Sequence, residues 1–188
     1  MSIYLLIGVV IFALVHLYPA ACGERRQLLI KKIGVGPYKG LFSVATLGAL
    51  FMIIFGWRNS DITNIYTPPE WGRLAVVVLM YPALFLFISA SMSGNVKRII
   101  RHPQLSAVAL WGFAHILANG ESRSVFLFGL FIAWALVEMI FLNRRDGEWQ
   151  KPSPLPWFQD IKIVLISLVI YVGLMSGHGY FTGISLAP

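Results

Sequence analysis

Apolar residues run along the chain in six blocks separated by short polar gaps. The blocks are Ile3 to Ala21, Leu41 to Trp57, Leu74 to Ser91, Leu105 to Ala118, Val125 to Leu142 and Ile161 to Met175. A helix needs about 20 mainly apolar residues to cross the hydrocarbon of a bilayer. Six such helices with short connections use nearly the whole chain. The pattern predicts an all-α, polytopic transmembrane helix bundle of about six spans, forming a single domain over residues 1–188. The gaps carry helix breakers: Gly34-Val35-Gly36-Pro37, Thr67-Pro68-Pro69, His102-Pro103, Asn119-Gly120 and Pro152-Ser153-Pro154-Leu155-Pro156. The fourth block is too short for a full span. Its helix covers about 21 to 24 Å of a core roughly 30 Å thick. Either the bilayer thins there or the Asn119-Gly120 turn is buried in protein, where irregular backbone is tolerated. The second reading is preferred.

Composition strengthens the membrane assignment. Residues are 57% hydrophobic and 12% charged, against roughly 25% charged in soluble domains, so too little polar surface exists to coat a soluble globule. The net charge of +7 does not indicate nucleic acid, because the basic residues sit in gaps between apolar blocks rather than on one amphipathic helix. Their distribution sets an orientation instead. The first, third and fifth gaps, with the start of the sixth block, hold Arg25, Arg26, Lys31, Lys32, Lys39, Lys97, Arg98, Arg101, Arg144, Arg145, Lys151 and Lys162. The second and fourth hold only Arg58, Arg73 and Arg123. Twelve against three, alternating through six spans, puts both termini outside the cytoplasm. The first block has no basic residue before it and no small-x-small site after it, so it reads as a span rather than a cleaved signal. The single cysteine, Cys22, excludes an internal disulfide and a CxxC motif.

Histidine is the informative residue type. His16 and His115 fall inside apolar blocks, where an ionisable side chain is costly and faces the bundle interior or a site. Neutral imidazole is also a common metal and haem ligand. The plain alternative is a histidine that hydrogen-bonds across helices. By helical rise, His16 lies roughly 10 Å and His115 about 18 Å from the cytoplasmic edge of the core, an offset that one haem can bridge. The pair His115 and His178 fits depth about as well. His102, before Pro103, reads as a rim residue at the start of a helix. Beside Arg101, it is alternatively a partner for an anionic group such as a haem propionate. Trp111 lies four residues before His115 on the same helical face, either packing or stacking on a flat ligand. Glu138 reads as a carboxylate reaching the cytoplasmic interface, with a proton relay as the alternative. No Walker loop, HExxH, GxSxG or CxxCH is present, so any haem is held without a covalent link.

Several stretches together resemble the NnrU family of bacterial membrane proteins. They are Gly34-Val35-Gly36-Pro37-Tyr38-Lys39-Gly40-Leu41-Phe42-Ser43, Tyr66-Thr67-Pro68-Pro69-Glu70-Trp71, Arg101-His102-Pro103-Gln104-Leu105 and Trp111-Gly112-Phe113-Ala114-His115-Ile116-Leu117-Ala118-Asn119-Gly120. The ending His178-Gly179-Tyr180-Phe181-Thr182-Gly183-Ile184-Ser185 is similar to the longer members. The family is associated with nitric oxide and nitrite reduction in denitrifiers. It is also similar to 15-cis-zeta-carotene isomerase, a membrane enzyme in which two histidines hold haem b and its redox state gates isomerisation of a polyene double bond. The resemblance implies that His16 and His115 are the equivalents of the two axial ligands and His102 that of the histidine before proline. An alternative thiolate ligand proposed for the isomerase falls on Gly112, so a redox-driven swap to sulfur is not expected.

The expectation is therefore a non-covalent haem b protein of the bacterial inner membrane. His16 and His115 are the metal ligands, and His102, Arg101 and Trp111 complete the cofactor site. It acts on a lipophilic polyene or supports nitrogen-oxide reduction. The alternatives are a non-catalytic electron-transfer or assembly factor and a haem-free transporter or scaffold. Membrane lipid is the expected partner. The catalytic residues, substrate and redox partner are not specified by the sequence.

Overall fold

The computed structural model describes residues 2–183, the side chain of Phe181 excepted. Ile184 and Ser185 of the carboxy-terminal motif lie outside the described residues. Seven α-helices account for most of this stretch: α1 (Ile3–Ala21), α2 (Gly23–Ile33), α3 (Val35–Arg58), α4 (Gly72–Ser91), α5 (Pro103–Ala118), α6 (Ser122–Asp146) and α7 (Phe158–Thr182). Five of them, α1, α3, α4, α6 and α7, are long and apolar enough to cross a membrane. The sixth expected span is α5, apolar but only 16 residues long. The outer surface confirms the environment: Phe51 and Val169 are 70% and 72% exposed, which only lipid makes favourable. The chain is a polytopic helical membrane protein.

The helices neighbour one another in the order α3–α1–α6–α5–α4–α7. Among the five long helices, α6 inside that order is the most enclosed and α7 at its end the least. Lipid supplies no hydrophobic drive between helices, so association depends on close packing over small residues. Gly8 and Gly56 let α1 and α3 touch, the Gly8 α-carbon facing Ile53 and that of Gly56 facing the Leu5 backbone. Gly72 admits the Leu117 carbonyl between α4 and α5. Gly112 lies against Phe128 and Ile132 between α5 and α6, where an added methyl would sit 2.8 Å from Ile132 Cγ1 and 3.0 Å from the Phe128 carbonyl oxygen.

The short α5 ends in protein, as preferred from the sequence. Residues 59–71 fold over its carboxy-terminal end, forming an isolated antiparallel bridge between Asn64 and Glu121. The Ile65 amide donates to the Gly120 carbonyl at 2.9 Å, and Ser122 N–H donates to the Thr63 carbonyl at 2.8 Å. The Tyr66 hydroxyl donates to the Ile116 carbonyl, with the Asn119 carbonyl oxygen at 3.2 Å. Asn119 Nδ2 donates to the His115 carbonyl at 2.8 Å. Of the terminal carbonyls, which a helix cannot satisfy itself, those of His115 and Ile116 thus find partners without water. Gly120 is buried against the Tyr66 backbone with no room for a side chain.

Three boundaries differ from the sequence expectation. The first gap contains α2, a basic amphipathic helix with no buried residue. The break at 34–37 is confined to Gly34, whose φ of 89° turns the chain, and α3 starts at Val35 with Pro37 in its first turn, where proline is tolerated. The last helix begins at Phe158 and continues through the Ser176-Gly177-His178 stretch, placing His178 on α7 rather than beyond it. On the basic side Asn95 ties the 92–102 connection to α7. Its backbone N–H donates to Asp160 Oδ1 at 2.7 Å, and its Nδ2 reaches Asp160 Oδ2 at 2.6 Å and the Leu155 carbonyl at 2.9 Å. The Leu155 amide returns a bond to Asn95 Oδ1 at 2.8 Å.

Candidate functional site

His16 sits four residues after Phe12 on α1, so its ring folds back over the preceding turn. Nδ1 lies 2.8 Å from the Phe12 carbonyl oxygen. A carbonyl only accepts, so Nδ1 carries the proton and Nε2 keeps its lone pair. The ring stacks on Phe12 at 4.1 Å between centroids and meets the edges of Phe42 and Trp134 at 5.1 and 5.4 Å. It also forms part of the wall of a cavity of about 440 Å³ enclosed by α1, α5, α6 and the segments before α5 and after α6. Leu105, Val108 and Leu142 give this cavity apolar walls, while Lys97 and Arg101 give it a cationic rim beside His102. Arg101 Nη2 donates to the Gly147 carbonyl at 2.8 Å, and His102 Nε2 is 2.9 Å from Asn143 Oδ1. Trp149 and Pro152, from the segment after α6, line the basic side.

His115 repeats the local arrangement of His16. Its Nδ1 lies 2.9 Å from the Trp111 carbonyl, so again Nε2 is the nitrogen left with a lone pair. Its ring stacks on Phe128 at 4.6 Å and tilts against Trp111 at 5.3 Å. His115 and Trp111 do not line the cavity that His16 reaches. Instead, rings fill the space between: Phe12 touches Phe131 at 5.2 Å and Trp134 at 5.1 Å, and Phe131 touches Trp111 at 5.8 Å. Along α6, Phe128 faces His115 and Trp134 faces His16. Six residues of helix separate these levels by about 9 Å, in line with the depth offset read from the sequence. His178 lies within electrostatic reach of His115, and its Nδ1 is 3.1 Å from Thr182 Oγ1.

The structure therefore gathers His16, Arg101 and His102 around one cavity and sets His115 and Trp111 one aromatic layer away. Trp134 and Glu138 were not expected there. They lie four residues apart on α6 and both line the cavity beside His16. Trp134 Nε1 and Glu138 Oε2 are buried, yet form no well-aligned hydrogen bond. Their spacing was the available signal, since residues at i and i+4 share a face and Glu138 is the sole carboxylate between Ser122 and Arg145. Gly112 faces α6 rather than any cavity, which leaves no room for a thiolate at that position.

Among the described residues no three His, Cys, Asp or Glu side chains converge as a metal cage requires. No curated protein and no solved structure matches the chain. A family model described as NnrU protein matches residues 4–186, nearly its whole length. The chain belongs to the NnrU family.

Proposed function

We propose that this NnrU-family protein binds haem b in the bacterial inner membrane and supports redox-linked chemistry on a lipophilic polyene or in nitrogen-oxide reduction. The observation that carries the reading is the matched pair of span imidazoles. Each holds its Nδ1 proton on the carbonyl four residues earlier and keeps Nε2 as a ligand atom. Outer bonds of this kind orient metal-ligating histidines. Among the described residues no third His, Cys, Asp or Glu side chain joins them as an ordinary ion site requires, which favours a group that brings its own donors, as a porphyrin does.

The residues around His16 fit such a group. Leu105, Val108 and Leu142 suit a macrocycle face, and Arg101, Lys97 and His102 suit its propionates at the cationic rim. Charge-assisted bonds from arginine to carboxylates are the strong ones. For His115 to serve as the second ligand of the same group, the Phe131 and Trp134 rings between the imidazoles must swing aside. When bound, haem would supply a redox centre and a Lewis acid. The chain's own part is to hold Nε2 in place, exclude water with the apolar walls of Leu105, Val108 and Leu142, and keep Glu138 near the site.

A series of single variants tests the reading. His16→Ala and His115→Ala should each lose most of the haem that the wild type carries, measured by pyridine haemochrome, and His102→Ala should keep its ligation. Equal haem in His115→Ala would reject the two-histidine assignment. A second reading, electron transfer without catalysis, draws on the unbroken run of aromatic rings from His16 to His115. Carbon monoxide binding to the reduced protein distinguishes an open catalytic site from a closed electron carrier.

A further inference from the structure

A second cavity, of about 660 Å³, opens on the basic side where α1 hands over to α2. Its walls include Cys22, Gly23, Arg25, Phe141, Arg144 and Arg145. We propose that this cavity binds the phosphate of an anionic phospholipid from the same leaflet. The site is separate from the His16 cavity and does not rest on the haem reading.

The three arginines have different jobs. Arg145 is committed to the protein: it pairs with Asp146 at 2.6 Å and donates from Nη1 to the Pro19 carbonyl at 3.2 Å, closing the end of α1. Its Cδ lies over Gly23, 3.8 Å from where a β-carbon would stand. Arg25 and Arg144 are exposed, and among the described residues no carboxylate lies within ion-pair distance of either. Glu24 also lines the cavity, which lowers the local charge without cancelling both free guanidinium groups. Phe141 gives the floor an apolar surface on which the glycerol end of a lipid can rest.

The location selects a lipid over a soluble anion. α2 buries none of its residues, and Leu28 is 65% exposed while Arg25, Arg26, Lys31 and Lys32 share its short length. A basic helix with uncovered leucines lies in the headgroup plane of an anionic membrane. The cavity at its start is therefore level with lipid phosphates. The backbone amides of Gly23, Glu24 and Arg25 precede the first bond of α2, Arg26 N–H to the Cys22 carbonyl at 2.9 Å, and add to the attraction for an anion.

The test uses the full chain, purified in detergent. Retention of dioleoyl phosphatidylglycerol is compared with that of dioleoyl phosphatidylcholine by native mass spectrometry and by the shift in melting temperature. Wild type should retain and be stabilised by phosphatidylglycerol. Arg25→Ala/Arg144→Ala should bind it about thirtyfold more weakly, taking two basic contacts near an anionic surface at the usual strength. Lys31→Ala/Lys32→Ala, further along α2, should change binding far less. Equal retention by the arginine double variant overturns the proposal. So does equal stabilisation of the wild type by both lipids, a result that needs no variant to fold. Stabilisation by inorganic phosphate at the concentration that suffices for the lipid overturns the lipid assignment in favour of a free anion.

Discussion

Gly112→Ala should destabilise the protein, although alanine is the better helix former. The reason is the α5–α6 contact. The new methyl would lie 2.8 Å from Ile132 Cγ1 and 3.0 Å from the Phe128 carbonyl oxygen. The first atom is a branched side chain near its root and the second is backbone, so neither retreats cheaply. Relief requires α5 and α6 to part by several tenths of an ångström, loosening the Trp111, Phe128 and His115 stack. Overpacking of this kind costs about 1–3 kcal/mol, set against a helix-propensity gain of about 1 kcal/mol. Gly129→Ala on α6 is the matched control: nothing lies within 4 Å of its added methyl, so it should be neutral or stabilising by about 0.5–1 kcal/mol. Unfolding in mixed micelles of mild detergent and SDS, followed by circular dichroism, measures both. Equal midpoints for the two variants would refute the close-packing argument. With it would go the steric reason why a thiolate has no place at 112.

Other consequences follow from the connections. Tyr66→Phe removes the hydroxyl from the Ile116 and Asn119 carbonyls and should cost about 1–3 kcal/mol by leaving them unsatisfied, seen in the same denaturation assay and in faster amide exchange at 116–120. Asn95→Ala cuts the side-chain ties to Leu155 and Asp160 while leaving the spans intact. It should speed proteolysis within residues 147–157 with little change in the global midpoint. Removing haem from a loaded sample should lower the unfolding midpoint of the wild type and leave that of His16→Ala unchanged.

The five long spans were legible because hydropathy alone sets them, whereas α5 is short and its reading as a sixth span rests on the alternation of Lys and Arg in the sequence. Helix α2 was not legible that way. Gly23-Glu24-Arg25-Arg26-Gln27 interrupts the apolar run, and only its helical spacing of Leu28, Leu29 and Ile33 hints at an interfacial helix. The carboxy-terminal extension of α7 was hidden by Gly177 and Gly179, which read as breakers in water but are common in membrane helices. At the candidate site, depth in the sequence paired His16 with His115, and the structure gathers His16 with Arg101 and His102 around one cavity instead. The aromatic layer was not foreseeable, because nothing in spacing says that Phe131 and Trp134 turn inward between the imidazoles. Glu138 was seen as a rim carboxylate; its neighbour Trp134, one turn earlier, makes it part of the cavity wall.

The central claim is that the two span imidazoles present Nε2 to a haem. A reduced-minus-oxidised absorption spectrum of the detergent-purified chain, expressed with ample haem precursor, tests it most directly. The account predicts a Soret band and resolved α and β bands on reduction in the wild type, and their loss in His16→Ala. A spectrum without a Soret band, even after reconstitution with haem, would contradict it.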